Sequence, residues 1–195
     1  MLSNRLAKHF GAAAAAAVVV GAANAAIVHW EVNLVVPANI DGLYMNVEAQ
    51  TTGTAGGSVA GWDINPYSAT SLTWFNATGT GMLRYPGVTT GSAGSLAAGT
   101  SVDGAGSYGS GASVFGAAAG NWTLNASNYF GFKFLAADGL THYGYGRMDV
   151  GSAATIRTVA FIDIESTAGQ AISVVPAPGA IALLGLAGLA GRRRR

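Results

Sequence analysis

The chain contains no cysteine. That excludes disulfide staples, thiol nucleophiles and thiolate metal sites, so the fold must rest on its buried apolar core alone. Charge is also scarce, with ten Lys and Arg, nine Asp and Glu, and charged residues making up 10% of 195 positions. Most of the cationic charge sits at the two ends. Arg5, Lys8 and Arg192 to Arg195 leave the middle only Arg84, Lys133, Arg147 and Arg157 against all nine acids, a net of −5. The nominal basic balance therefore misleads. The middle has no basic patch, and nucleic-acid binding is excluded as a reading. Helical apolar periodicity is missing from the middle, as are a Gly-x-Ser-x-Gly elbow, a His-Glu-x-x-His metal motif and a phosphate loop with its lysine and following helix.

The two ends carry what the middle lacks. Arg5 and Lys8 precede an apolar run of mostly alanine and valine from Gly11 to Gly21, and Ala23-Asn24-Ala25 follows with small residues at its first and third positions. This is the pattern of a secretory signal peptide (residues 1–25), cleaved after Ala25 by signal peptidase following export through the Sec translocon. The other end, from Val175, reads VPAPGAIALLGLAGLAGRRRR. Pro176 and Pro178 flank Ala177, an uncharged apolar stretch runs from Gly179 to Gly191, and Arg192, Arg193, Arg194 and Arg195 close the chain. Four adjacent like charges repel and pack against nothing in a soluble domain. Beside an apolar helix they act as a cytoplasmic anchor for a membrane span. The helix would measure roughly 20 Å against the ~30 Å of a bilayer core. Such a span suits a transient anchor.

The 26–174 body is one domain of about 150 residues, long enough to bury a sizeable core. Turn signals between short runs of β-branched and aromatic residues predict an all-β fold, a β-sandwich or jelly-roll-like body. Strands are expected over 27–36, 43–47, 59–64 (ended by Asn65-Pro66), 71–76 and 81–85. The small-residue stretch 87–120 reads as loop with a short strand near 100–102, anchored by Leu96, Val102, Tyr108, Val114 and Phe115. A meander of three long strands follows at 129–135, 140–150 and 154–165. Phe130, Phe132 and Phe134 share one face of the first, and Asp138-Gly139 makes the first turn. In the second strand Tyr143, Tyr145, Arg147 and Asp149 share a face. In the third, Ile156, Ala160, Ile162 and Ile164 are expected in step.

Candidate chemistry in the body is thin. His29 and His142 are its histidines, and His142 reads as a hydrogen-bonded structural residue. Asp138 and Asp149 resemble a glycosidase carboxylate pair by composition, but a turn explains the first and Arg147 the second. Asn39, Asp41, Asn46 and Glu48, with Asp63 and Asn65, offer the oxygens calcium prefers, and equally the side chains that cap turns. Trp62, Trp74, Trp122, Tyr143 and Tyr145 are able either to stack on sugars or to fill a core. Tyr143, Tyr145, Arg147 and Asp149 form the candidate ligand face. Three Asn-x-Ser/Thr matches, at Asn76, Asn121 and Asn125, are at the level expected by chance. No catalytic residue, metal or cofactor is expected.

The tail carries a resemblance. A proline motif, a short apolar helix and an arginine cluster in that order resemble the PEP-CTERM sorting signal of Gram-negative bacteria. The resemblance covers 175–195 and departs from the family motif at Ala177, where the family has glutamate. It implies recognition by an exosortase-type transpeptidase, processing at Val175-Pro176-Ala177-Pro178, transient anchoring in the inner membrane, and release to the cell surface or to an exopolysaccharide or biofilm matrix. In the body, Gly131-Phe132-Lys133-Phe134 with Thr141-His142-Tyr143-Gly144-Tyr145 is similar to a "GFRF … THYGW" segment of PEP-CTERM cargo proteins. Tyr145 stands where those carry tryptophan, and the similarity covers 129–173. It implies a β-sandwich surface domain without catalytic residues. Two classes of function follow: a non-enzymatic surface or matrix protein, and a lectin-like module binding carbohydrate or calcium.

Overall fold

A computed structural model describes residues 26–175. The signal segment with Ala23 and Ala25, the tail from Pro176 with Ala177 and Pro178, and Arg192 to Arg195 lie outside the described residues.

The described chain is all-β with antiparallel sheets. Its strands are β1 (Ile27–Val35), β2 (Tyr44–Asn46), β3 (Thr51–Gly53), β4 (Ile64–Tyr67), β5 (Thr73–Asn76), β6 (Gly81–Leu83) and β7 (Ser101–Val102). They continue with β8 (Tyr108–Gly109), β9 (Gly111–Ala112), β10 (Ala126–Leu135), β11 (Thr141–Val150), β12 (Arg157–Glu165) and β13 (Ile172–Ser173). A six-stranded sheet runs β1-β12-β11-β10-β6-β8, a five-stranded sheet β3-β2-β4-β5-β9, and a ribbon pairs β13 with β7.

The main core lies between the two large sheets. Val32, Met82, Phe130, Phe132, Phe134, Met148, Val159, Ile162 and Ile164 from the long sheet meet Met45, Ile64 and Trp74 from the short one, with Trp122 among them. The three phenylalanines share a face as their period-two spacing predicts. Phe130 and Phe132 lie opposite Gly146 and Gly144 in register. A Cβ on Gly144 would sit 2.4 Å from the Phe132 ring and 2.8 Å from the Asp163 carbonyl, and one on Gly146 would sit 2.5 Å from the Phe130 ring. The glycines are thus the floor on which the rings lie. A second core on the far side of the long sheet gathers Leu83, Leu96, Val102, Tyr143, Tyr145, Ala160, Phe161, Ile172 and Val174.

Several sequence expectations shift. The strand expected over 59–64 begins where it was expected to end, with Asn65 and Pro66 inside β4. Pro66 is tolerated because its carbonyl accepts from Leu43 N (3.0 Å) just beyond the single β2–β4 pair, Met45–Ile64, so its missing N–H interrupts no ladder. Residues 59–63 instead form the turn out of a 3-10 segment, Gly56–Ser58. In β12 the alternation breaks at a bulge. Arg147 pairs with Phe161 but Met148 with Val159, so Ala160 is the extra residue and turns to the second core. Ile156 precedes the strand and is exposed. The small-residue stretch forms β7, β8 and β9 as well as loop. Leu96 and Val102 are buried and Tyr108 and Phe115 half-buried, whereas Val114 is exposed.

Candidate functional site

The expected ligand face of β11 is built but not open. Tyr143 and Tyr145 are 7% and 4% exposed. The β7–β13 ribbon and its flanks cover them: Val102, Ile172 and Val174 pack beside them, and Tyr108 lies 6.2 Å from Tyr143, centroid to centroid. Tyr145 meets Phe161 edge-on at 6.0 Å. Farther along, Arg147 lies over the Phe161 ring at 5.5 Å and bridges to Asp149 at 3.2 Å, while Ser127 Oγ donates to Asp149 Oδ1 at 2.6 Å. Of the two roles open to Tyr143 and Tyr145, filling a core is the one observed, and the candidate ligand face is closed at these two residues: a third layer of chain occupies the space a ligand would need. Trp74 and Trp122 are likewise buried, with their indole N–H groups donating to Ser113 Oγ and Ala93 O, both at 3.0 Å.

Where the described chain ends, three in-register strands present a polar row. Asp163 on β12 pairs with His29 on β1 and with Tyr145 on β11. His29 Nδ1 lies 2.5 Å from Asp163 Oδ1, and its Nε2 lies 3.2 Å from Glu31 Oε2. The Asp163 hydrogen bond, with help from Glu31, raises the His29 pKa against a small burial penalty. Burial, with the Asp163 contact, raises the Tyr145 hydroxyl, which also reaches the Val175 backbone.

The second histidine is structural in its contacts. His142 Nδ1 lies 3.0 Å from Glu165 O and its Nε2 lies 3.1 Å from Asp138 Oδ2. Both partners are acceptors, so the doubly protonated ring satisfies both. Burial pulls its pKa down, but the Glu165 and Asp138 contacts outweigh this and the net direction is up. Asp138 and Asp149 flank opposite ends of β11, roughly 25 Å apart at about 3.3 Å per residue. Glycosidase carboxylates work at about 5–10 Å, so these two do not form a pair.

The calcium candidates are engaged with backbone. Asn39 Oδ1 accepts from Asp41 N and Gly42 N, Asn46 Oδ1 from Ala49 N, and Glu48 Oε2 from Ala137 N. Asn65 Nδ2 donates to Asp41 O at 2.7 Å. Asp63 Oδ2 accepts from Val47 N at 2.9 Å. Among the described residues, no three His, Asp or Glu gather as a metal site.

The burial of Asp63 and of Arg157 was not anticipated from the sequence. Asp63 is buried beside Trp62, and burial pushes its pKa up to about 6. Arg157 is 1% exposed and faces no carboxylate. Its guanidinium donates to the carbonyls of Ser71, Ser68 (2.9 Å), Ala154 (3.2 Å) and Pro37 (3.3 Å), and burial lowers its pKa to about 10. It pins together the β1–β2 loop that crosses between the sheets, the β4–β5 loop of the short sheet and the β11–β12 loop of the long one.

The open face lies elsewhere. On the outside of the five-stranded sheet, Tyr44, Trp62 and Phe75 form an aromatic row. Trp62 meets the Tyr44 ring edge-on at 5.1 Å and lies 5.6 Å from the Phe75 ring, tilted 33°. Phe75 is 51% exposed, and Tyr44 and Trp62 are half-exposed. Gly56 in the 3-10 segment backs the Tyr44 ring, since a Cβ there would fall 2.9 Å from it. Trp62 also walls a shallow depression of about 380 Å³ whose other walls include Asp63, Thr78 and Thr80. The signal for this row was present in the sequence: Trp74 and Phe75 are adjacent in one strand, so burying the first turns the second outward.

Comparison with family models, with curated proteins and with solved structures finds no match for this chain.

Proposed function

We propose that this is an exported, non-enzymatic protein of the cell surface or extracellular matrix, delivered by a C-terminal exosortase-type sorting signal and associated with exopolysaccharide or biofilm. The observation that carries the reading is the ordered tail: Val175-Pro176-Ala177-Pro178, an uncharged apolar stretch, then Arg192 to Arg195. In this reading the Sec translocon and signal peptidase handle the first end and a membrane-embedded transpeptidase the second. The two sheets packed across one core are read as a β-sandwich of the jelly-roll kind.

Near the expected cleavage points, Ala26 O accepts from Ser166 N (3.1 Å), Val174 N donates to Thr100 O and Gly99 N donates to Val174 O. Cleavage after Ala25 and near Pro178 would leave each of these bonds in place.

Fractionation of cells carrying the full chain or a deletion of 176–195 tests the reading. The full chain is expected at the surface or in the matrix, with a C-terminal peptide ending near Pro178 by mass spectrometry. Equal surface retention of the deletion, or an intact Arg195 in surface material, would sink the sorting assignment.

A further inference from the structure

We infer that the outer face of the five-stranded sheet binds a neutral polysaccharide chain, with Tyr44, Trp62 and Phe75 as the stacking platform and the depression beside Trp62 as a polar subsite. The choice of polysaccharide over other partners rests on the matrix reading above; the location rests on geometry alone. Three rings in contact form a continuous row, half-exposed or more, with the 3-10 segment at Gly56 packed behind the Tyr44 end. Exposed aromatic surface of this kind carries a free-energy cost in water that an apolar sugar face relieves. The fully buried rings, Trp74 and Trp122 among them, fill the core, whereas Phe75 of this row is 51% exposed.

Charge narrows the ligand. The cationic residues of the body are Arg84, Lys133, Arg147 and Arg157, and none belongs to a strand of this sheet. The titratable group beside the platform is a carboxylate, Asp63. Its Oδ2 accepts from Val47 N at 2.9 Å, and the residue lines the depression beside Trp62. Thr78 and Thr80 share its depression. A carboxyl oxygen and hydroxyls next to a stacking ring suit sugar hydroxyls, whereas an anionic polymer would meet Asp63 with no compensating cation. A row of three rings, from β2, the turn before β4 and β5, with centroids 5.1 and 5.6 Å apart, also favours an extended chain over a single sugar.

The test uses the full chain, solubilised in a polyoxyethylene detergent that has no sugar headgroup to compete. Co-sedimentation is measured with cellulose, chitin, xylan and insoluble β-glucan, and with crosslinked alginate as the anionic arm. Retention on at least one neutral polymer is expected, weakened about tenfold in Phe75→Ala and in Trp62→Ala, and unchanged in Leu140→Ala on the distant hairpin. Thermal melts verify folding, and where Trp62→Ala fails to fold, Phe75→Ala decides. Retention on no neutral polymer, equal retention by both ring variants, stronger binding to alginate, or a self-associated chain that Phe75→Ala converts to monomer would overturn the inference. Sorting is read separately by fractionation, so either proposal can fail while the other stands.

Discussion

The two large sheets both carry aromatic residues on their outer faces, and the molecule treats them in opposite ways. On the six-stranded sheet, Tyr143, Tyr145 and Phe161 lie under the β7–β13 ribbon and become a second core. On the five-stranded sheet, Tyr44, Trp62 and Phe75 lie open. Ring chemistry does not separate the two groups. What separates them is whether a later piece of chain returns to cover the face. The cover comes from the stretch with the weakest sequence signal, 87–120, and from the last strand before the tail. An aromatic residue in a strand is therefore a promise of burial that the topology keeps on one face and leaves unkept on the other.

The comparison breaks most severely where the sheets are tied together. Arg157→Met should cost about 3–5 kcal/mol, since it strands four carbonyls that the guanidinium now satisfies. Urea unfolding should show a lower midpoint, and a change below about 1 kcal/mol would reduce the guanidinium to a bystander. Next in size is a paired truncation. Tyr145→Ala, under the cover, should lose about 3 kcal/mol, whereas Phe75→Ala, on the open face, should stay within about 0.5 kcal/mol. Equal losses would erase the distinction between the faces.

The smallest effect is a pH dependence. Burial raises Asp63 from 3.8 to about 6, so the folded state disfavours its charge. The stability it contributes is complete below pH 3.8 and is lost as pH rises through 6. Asp63→Asn keeps an acceptor for Val47 N and should flatten that decline. It should gain on the order of 1–2 kcal/mol at pH 7 relative to the parent. An unchanged difference curve between pH 4 and 7 would place the carboxyl in water rather than in the sheet.

The fold was legible wherever local pattern and burial agree. The Phe130-Phe132-Phe134 alternation, the Asp138-Gly139 turn and the three-strand meander needed no tertiary information, because strand geometry alone puts alternate residues on one face. The failures lie where that alternation is interrupted. Ala160 left its face because a bulge adds a residue to β12, and β4 ran through Pro66 because its register with β2 stops at Ile64 while its pairing with β5 continues to Tyr67. Period-two reading has no means of anticipating an extra residue within a strand, which shows only against the register of its partner.

The candidate site was legible in part. Trp62 was named, but as one of five interchangeable aromatics, and Phe75 was not named. Arg157 counted only as a charge. Its role depends on carbonyls from Pro37, Ser68 and Ser71, up to 120 residues away along the chain.

The sequence by itself determined the all-β class, the faces of β10 and β11 and the charge asymmetry between the body and its ends. These follow from residue order, through backbone geometry and simple charge. Which aromatic face is covered, which carboxylate is buried and which arginine becomes a pin were decided only by the tertiary structure. Each of those depends on which distant segments return to the same place, and local residue order does not encode that directly.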